Sequence, residues 1–368
     1  MRLRDLKLTN YRNCKDLGLN LESKKILIIG KNAQGKTNIL ESIYFLSTLK
    51  TPRTSNNIEL INFDAEKAEI NCNMLKAETD VELDYTYSRE KKRELAINKV
   101  KTTPKNFKSV LKTVLFSTAD LLLLRGNPSD RRDWLDRAIS QVYPAYDDRL
   151  SKYDKIRIQK NNLLKDYLKT GNLNETLLDV YNEQLVITGS NIIYLRIKFL
   201  KEIERIASEK HHIISETEKL EIKYDCSFLN METELESIAS VFHQSLVERK
   251  IEEVRRGQAC VGPHRDDIIF YINGNEATKF ASQGQQRTVV LALKLSELDI
   301  ITAKTGDEPV LLLDDVLAEL DDLRQNYLLK SISENTQTII TSVDTVLFEE
   351  EFLKDVKIYK IENGCISS

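Results

Sequence analysis

Apolar positions along the chain switch between the periods of strand and helix. Leu3, Leu6 and Leu8 mark a strand-like opening, and KKILIIG (Lys24 to Gly30) is the short apolar run of a buried strand. Ile39, Leu40, Ile43, Leu46 and Leu49 then recur at helical spacing. Ala68 to Met74 and Val81 to Tyr87 alternate apolar and polar residues, which predicts antiparallel hairpins, and LAINKVK (Leu95 to Lys101) reads as one further strand. From Asn127-Pro128-Ser129-Asp130 to about Arg249 the period is helical, with Trp134, Leu135, Ala138, Ile139 and Val142 on one face. After Gly257 strands return. DIIFYINGNEA (Asp267 to Ala277) carries an Asn273-Gly274 turn signal, and PVLLLDDV, TQTIITSVD and KIYKIENGCI follow a long apolar helix that starts near Gln283.

Sheet segments at the two ends therefore bracket a helical insertion. The pattern predicts an α/β protein with a discontinuous body, 1–116 and 255–368, and an inserted helical domain, 117–254. The insertion reads either as helical hairpins projecting like an arm or as a compact bundle.

Composition narrows the class. The 368 residues are 41% hydrophobic and 30% charged, which suits a globular chain with a real core. The net charge of −3 requires any nucleic-acid contact to be a local patch. The opening MRLRDLKLTNYRN holds no apolar signal core, and no apolar run approaches the roughly 18 residues of a membrane span. Five scattered cysteines without a CxxC pair argue against a zinc or redox motif. A reduced, cytoplasmic protein with no membrane partner is expected.

Gly30-Lys31-Asn32-Ala33-Gln34-Gly35-Lys36-Thr37 fits G-x-x-x-x-G-K-[ST] between a strand and a helix. The glycines let backbone N–H groups curl around phosphate oxygens, and the helix dipole adds positive potential. Lys36 is expected on the β- and γ-phosphates, Thr37 on Mg²⁺, and Asn38 with the loop on the nucleotide. An acidic partner is needed at a neighbouring strand end. Val310 to Asp315, VLLLDD, supplies it: Asp314 for Mg²⁺ and Asp315 to polarise the attacking water. The 278 positions between Lys36 and Asp314 exceed what compact P-loop kinases and GTPases use. They match an ABC-type P-loop ATPase head carrying an insertion.

Such heads place a signature helix shortly before the acidic strand. Ala281-Ser282-Gln283-Gly284-Gln285 occupies the place of LSGGQ, 32 positions from Ser282 to Asp314. A helix N-terminus with Ser282, Gly284 and Gln285 suits a second anion site that completes the nucleotide pocket of another protomer. Ala318-Glu319-Leu320-Asp321 stands where a D-loop would, with Asp321 bearing on nucleotide. At the end of the strand TIITS, Ser342 takes the place of a switch histidine, which predicts slow, regulated turnover. No glutamine sits in a convincing Q-loop context, and Ser117 to Asp120 are its candidates.

With these motifs in order, the chain resembles the RecF family of bacterial recombination mediators, related to Rad50 and SMC heads. The resemblance runs over essentially the full length. It is most specific in LTNYRNC, GKNAQGKTNILE, LFSTADLLLLRGNPSDRRDWLD, VGPHRDDIIFYING, FASQGQQRTVVLALKL and LLLDDVLAELD. The short insertion and the missing CxxC separate it from long-armed relatives. The resemblance implies an ATP-dependent homodimer that binds DNA at gaps or single/double-strand junctions and helps load the recombinase with RecO and RecR. It implies a weak, DNA-stimulated ATPase, with roles in replication restart and SOS induction. It also puts Arg12 near the nucleotide and leaves the role of His264 and Arg265 open.

The stretch from Ser88 to Lys108 holds eight basic and two acidic residues, a net +6. Lys91, Lys92, Arg93, Lys99, Lys101, Lys105 and Lys108 are its candidate phosphate contacts, on single-stranded, duplex or junction DNA. The other reading of that stretch is a solvated hairpin rim. Two other functions compete with a DNA-repair switch. One is a structural head that binds but does not hydrolyse ATP, and the other is a transporter ATPase subunit.

Overall fold

A computed structural model describes residues 1–54, 56–230 and 233–367. In chain order the strands are β1 (Arg2–Tyr11), β2 (Cys14–Asn20), β3 (Lys25–Ile29), β4 (Lys67–Lys76), β5 (Thr79–Ser88), β6 (Arg93–Ile97), β7 (Val100–Lys101) and β8 (Thr113–Ser117). Then follow β9 (Leu220–Asp225), β10 (Asp267–Ile272), β11 (Asn275–Glu276), β12 (Val310–Asp314), β13 (Thr338–Ser342), β14 (Val356–Glu362) and β15 (Cys365–Ser367). The chain divides into two compact units, Met1–Leu122 with Arg287–Ser368, and Leu123–Gln286.

The first unit has two sheets. One is antiparallel, in the order β2-β1-β4-β5-β6-β7. The other runs β15-β14-β3-β13-β12-β8, with β14, β3, β13, β12 and β8 mutually parallel and β15 antiparallel at the edge. Every residue of β12 and β13 is buried, as in a parallel sheet covered on both faces. The alternation in β4 and β5 buries one face: Ile70, Cys72, Leu83 and Tyr85. They share a core with Ile26 and Ile28 of β3, Leu312 of β12, and Ile39 and Ile43 of the helix Lys36–Thr48. That helix is almost wholly buried, which fixes its N-terminus.

LAINKVK is two strands, not the one expected. Asn98 and Lys99 both have positive φ (50° and 64°), the combination of a type I′ turn, so the chain reverses between β6 and β7.

The second unit holds the helices Pro128–Val142, Tyr146–Thr170, Glu175–Ser215, Leu235–Glu248 and Lys250–Arg256 and the sheet β11-β10-β9. Trp134, Leu135, Ala138, Ile139 and Val142 are buried, and Trp134 lies 6.1 Å from Phe270 between ring centroids. Against the expected boundaries at 116/117 and 254/255, the units divide after Leu122 and after Gln286. The reason is β9, a short strand within the stretch read as helical. It pairs with β10, and Arg131 clasps Asp267 through two 2.8 Å bonds. These contacts tie 255–286 to the insertion.

One side chain joins the sheets of the first unit. Gln337, buried ahead of β13, accepts from Leu3 N–H (2.6 Å) and donates to the carbonyls of Leu3 (3.0 Å), Leu21 (2.6 Å) and Ser23 (3.2 Å). Gln337→Leu strands these groups in the interior. It is expected to cost about 1–3 kcal/mol in denaturant unfolding, with no change in the slope of the transition.

Candidate nucleotide site

The loop after β3 turns tightly enough to need its glycines. A Cβ at Gly30 would stand 2.4 Å from the carbonyl oxygen of Ile361, and one at Gly35, φ 110°, 2.9 Å from the Asn13 side chain. Gly35 is also the N-cap of the Lys36–Thr48 helix, whose first turn carries no acid and no side-chain cap. No acid of the helix itself offsets its positive end. Lys36 is buried. Its Nζ donates to the carbonyls of Gly30 (2.8 Å) and Lys31 (3.3 Å) and lies 3.7 Å from Asp315 Oδ2.

The two acids follow from β12. Asp314 is its last residue, in register with Ser117 of β8 and Thr341 of β13. Thr37 Oγ1 donates to Asp314 Oδ1 at 3.0 Å, and Thr341 Oγ1 donates to the same oxygen at 2.9 Å. Burial pushes the Asp314 pKa above the ordinary carboxylate value, against the two hydroxyl bonds that favour its charge. Asp315 then turns off the strand with φ 51°, its N–H donating to Thr341 Oγ1 at 2.9 Å. Asp315 Oδ1 is buried and has no hydrogen-bond partner among the described residues.

These groups fit a hard divalent cation. The Thr37 hydroxyl and the Asp314 carboxylate are adjacent oxygen donors. Among the described residues no cluster of three His, Cys, Asp or Glu forms a metal cage. That donor set suits Mg²⁺, which takes one or two protein oxygens and completes its shell with water and phosphate.

A second layer holds the loop. Asn38 donates to Asn13 Oδ1 (2.7 Å), Asn13 to the carbonyl of Gln34 (3.3 Å), and Arg53 to Asn38 Oδ1 (2.9 Å). Asn363 N–H donates to Gln34 Oε1 at 2.6 Å. Arg12, in the β1–β2 turn, donates to buried Glu41 of the same helix at 2.7 Å. Lys31, Asn32 and Ala33 are exposed, Gln34 is half-buried, and Ala33 has φ 64°. Thr341, Asn13, Glu41 and Arg53 are absent from the sequence-derived set. Asn13 had a signal, since it adjoins Arg12 in YRNC. Thr341 had none without the strand register.

The remaining candidates are spread. Ser342 ends β13, buried, with its carbonyl accepting from Gly30 N–H at 3.3 Å. Ser117 N–H and Oγ both donate to Asp120 Oδ2 at 2.8 Å, so this end of β8 is locked onto an acid. Asp321 caps the helix Asp322–Ser331, accepting from Arg324 N–H at 3.0 Å. Ser282 caps its own helix: Ser282 N–H donates to Gln285 Oε1 (2.8 Å) and Gln285 N–H to Ser282 Oγ (3.2 Å). Gln285 Nε2 also donates to Glu218 Oε1 at 2.7 Å.

Lys91, Lys92, Arg93, Lys99, Lys101 and Lys105 are exposed and Lys108 is half-buried, and the basic stretch is not one cluster. Lys91, Lys92 and Arg93 sit at the start of β6, and Lys99 sits in the turn at its far end, about 17 Å away for five strand residues. Lys101 is on β7, and Lys105 and Lys108 are on the short helix Pro104–Lys108. Lys92 pairs with Glu90 (2.6 Å) and Lys101 with Glu94 (3.5 Å). Phe107 is fully buried in the core.

The comparisons agree with this architecture. The model of the RecF/RecN/SMC N-terminal domain matches residues 2–367. The chain is 38% identical, over the whole of both chains, to the DNA replication and repair protein RecF of Bacillus velezensis. The chain belongs to the RecF family. It is 37% identical to the RecF of Bacillus subtilis, again over all of both chains. The solved structure of the recombination mediator RecF-ATP in the RecFOR pathway matches with a TM-score of 0.91 and 34% identity, over 100% of this chain and 97% of that one. A Smc head domain derived from Pyrococcus furiosus shares the fold, with a TM-score of 0.55 at 15% identity over 100% and 95%. The fold is thus that of the RecF and SMC ATPase heads, with mixed and antiparallel sheet and a helical insertion. No helix among the described residues is long and apolar enough to cross a membrane.

The raised Asp314 pKa in this RecF-family site gives a pH test. At low pH the carboxyl is protonated in folded and unfolded chains alike. As pH rises through the unfolded value, about 3.9, the unfolded chain ionises first, so the folded state loses stability until Asp314 ionises too. Asp314→Asn removes that loss. Without metal or nucleotide, the variant is expected to melt higher than the parent at neutral pH, with the gap closing in acid. It is expected to lose the stabilisation by MgATP.

Proposed function

We propose that the chain is an ATP-dependent DNA-binding protein of recombinational repair, with an ATP-bound homodimer as its DNA-holding state. The observation that carries this reading is the convergence of Lys36, Thr37, Asp314, Asp315 and Thr341 at the end of three adjacent parallel strands. That geometry, with the likeness to a RecF solved with ATP, supports hydrolysis of ATP and water to ADP and phosphate.

In this reading the loop from Gly30 to Asn38 wraps the phosphates, and Lys36 brings its charge to the β- and γ-phosphoryl oxygens. Thr37 and Asp314 hold Mg²⁺, which when bound offsets phosphate charge. Asp315 takes the proton of the attacking water. Its left-handed backbone and partnerless Oδ1 support that role, because the oxygen's accepting capacity is unspent. Arg12 acts through Glu41 to hold the helix that bears Lys36 and Thr37. Ser282, Gly284, Gln285 and Asp321 serve the nucleotide of the second protomer. Ser342, without an imidazole, leaves turnover slow, and hydrolysis opens the dimer.

DNA phosphates meet Lys91, Lys92, Arg93, Lys99, Lys101, Lys105 and Lys108. The buried Phe107 supports contacts to the backbone and not base stacking. Single strand, duplex and junction all present that backbone. RecO and RecR are the expected partners in loading recombinase at gaps. Replication restart and SOS induction would follow from the same activity, stimulated by DNA and carried out in the cytoplasm.

Sedimentation velocity on Asp315→Asn tests the switch. A dimer with ATP, and a monomer with ADP or without nucleotide, is expected. Monomers in all three states, with ATP bound, would sink the two-chain site. Ser282→Arg is expected to keep ATP binding and abolish the dimer. Phosphate release by the parent must exceed that of Asp315→Asn by at least about tenfold; equal background rates would make the chain a non-hydrolysing structural head.

A further inference from the structure

The unit Leu123–Gln286 contains a polar cavity of about 400 Å³ that no part of the nucleotide site uses. Arg132 of the helix Pro128–Val142, Arg157 of the helix Tyr146–Thr170, and Arg265 of the loop before β10 line it, around His264. All three arginines line the same cavity as His264.

His264 is not a charged ligand. Its Nε2 lies 3.3 Å from the carbonyl of Ala259, an acceptor only, so Nε2 carries the hydrogen. Its Nδ1 then accepts from the Tyr153 hydroxyl at 2.7 Å. Both ring nitrogens are spent, and burial pushes the pKa down to about 3. Gly262 is required behind the pair, since a Cβ there would stand 2.2 Å from the Tyr153 hydroxyl. The neutral pair is a floor, and the arginines carry the charge.

Asp133, Asp136 and Asp154 also line the cavity and would oppose an anion. Asp136 is spent in a two-point clasp with Arg196, at 2.9 and 2.8 Å. Asp154 binds Arg157 at the exposed rim, at 3.0 and 3.2 Å. Arg132 and Arg265 each donate one N–H to a carbonyl, of Asp266 (2.7 Å) and Ala259 (3.2 Å), and neither pairs with a carboxylate among the described residues. Their other donors have no carboxylate partner among the described residues. A single guanidinium fork satisfies a planar carboxylate. Forks from three separate elements suit a tetrahedral anion with more oxygens, and the volume admits a nucleotide-sized group.

We propose that this cavity, walled by Arg132, Arg157 and Arg265 over the Tyr153–His264 pair, binds a phosphate group carried by a nucleic-acid strand or a free nucleotide. The proposal stands apart from the reading of the nucleotide site. Its test uses the full chain with saturating MgADP, two probes and two variants. The probes are thymidine monophosphate, followed by phosphorus-31 line broadening, and a short oligothymidylate, followed by fluorescence anisotropy over a salt series.

The double variant Arg157→Gln, Arg265→Gln is expected to weaken at least one probe by about tenfold or more. If the phosphate belongs to a strand, the salt slope of oligonucleotide binding falls by about one. If it belongs to a free nucleotide, only the monophosphate signal is lost. Asp154→Asn, at the rim, frees Arg157 and is expected to tighten the same probe several-fold. That variant decides the matter if the double variant fails to fold. Parent-like binding of both probes in Asp154→Asn, or in a folded double variant, overturns the proposal.

Discussion

Two adjacent carboxylates at the end of a fully buried strand are costly, and the head is arranged around keeping them usable. Neither can be solvated freely, and their like charges oppose each other. One hydroxyl addresses both: Thr341 Oγ1 donates to Asp314 and accepts from the Asp315 backbone. Thr37 adds a second donor to Asp314, and the left-handed turn at Asp315 swings the second carboxylate toward Lys36. The strain of a non-glycine residue at positive φ, of order 1–3 kcal/mol, is tolerable because β12 and β13 fix both sides of the turn.

This arrangement dictates the topology. Thr341 can reach Asp314 only if β13 lies beside β12 in parallel register, and Gly30 N–H meets Ser342 only if β3 lies on the other side of β13. Parallel neighbours cannot be joined by tight turns, so the chain must leave the sheet and return between each of them. The longest of these excursions contains the whole second unit. Gln337 gives the returning strand a fixed depth by bonding β1 and the segment after β2.

Local patterns carried much of this. The P-loop was legible because its glycines, lysine and threonine are contiguous and the flanking strand and helix have clear periods. VLLLDD was legible because four apolar residues before two acids have few other meanings. What escaped was set by pairing between distant segments. β9 shows only Leu220 and Ile222 as inward positions, too few to stand out between helices, and only β10 makes it a strand. The turn at Asn98-Lys99 lacks the glycine that usually announces it. Phe107 looks like a surface aromatic among lysines, yet it is core, because the short helix that bears it packs against the Lys36–Thr48 helix and β6. Thr341 is one more residue of a buried strand until the register puts its hydroxyl beside two acids.

At Ser282, capping a helix and the proposed sensing of a phosphate need not compete. Ser282 Oγ spends a lone pair on Gln285 N–H, while Gln285 Oε1 receives Ser282 N–H and its Nε2 is anchored on Glu218. The amide is thereby oriented before any second protomer arrives. The serine is exposed, and its hydroxyl hydrogen has no acceptor among the described residues. A phosphate oxygen can only accept. The cap therefore spends what a phosphate cannot use and keeps the donor that it can, and a preformed donor costs little ordering entropy on closure. In the proposed dimer that hydroxyl would distinguish ATP from ADP only by meeting the terminal phosphoryl oxygens, the one part of the nucleotide that hydrolysis removes.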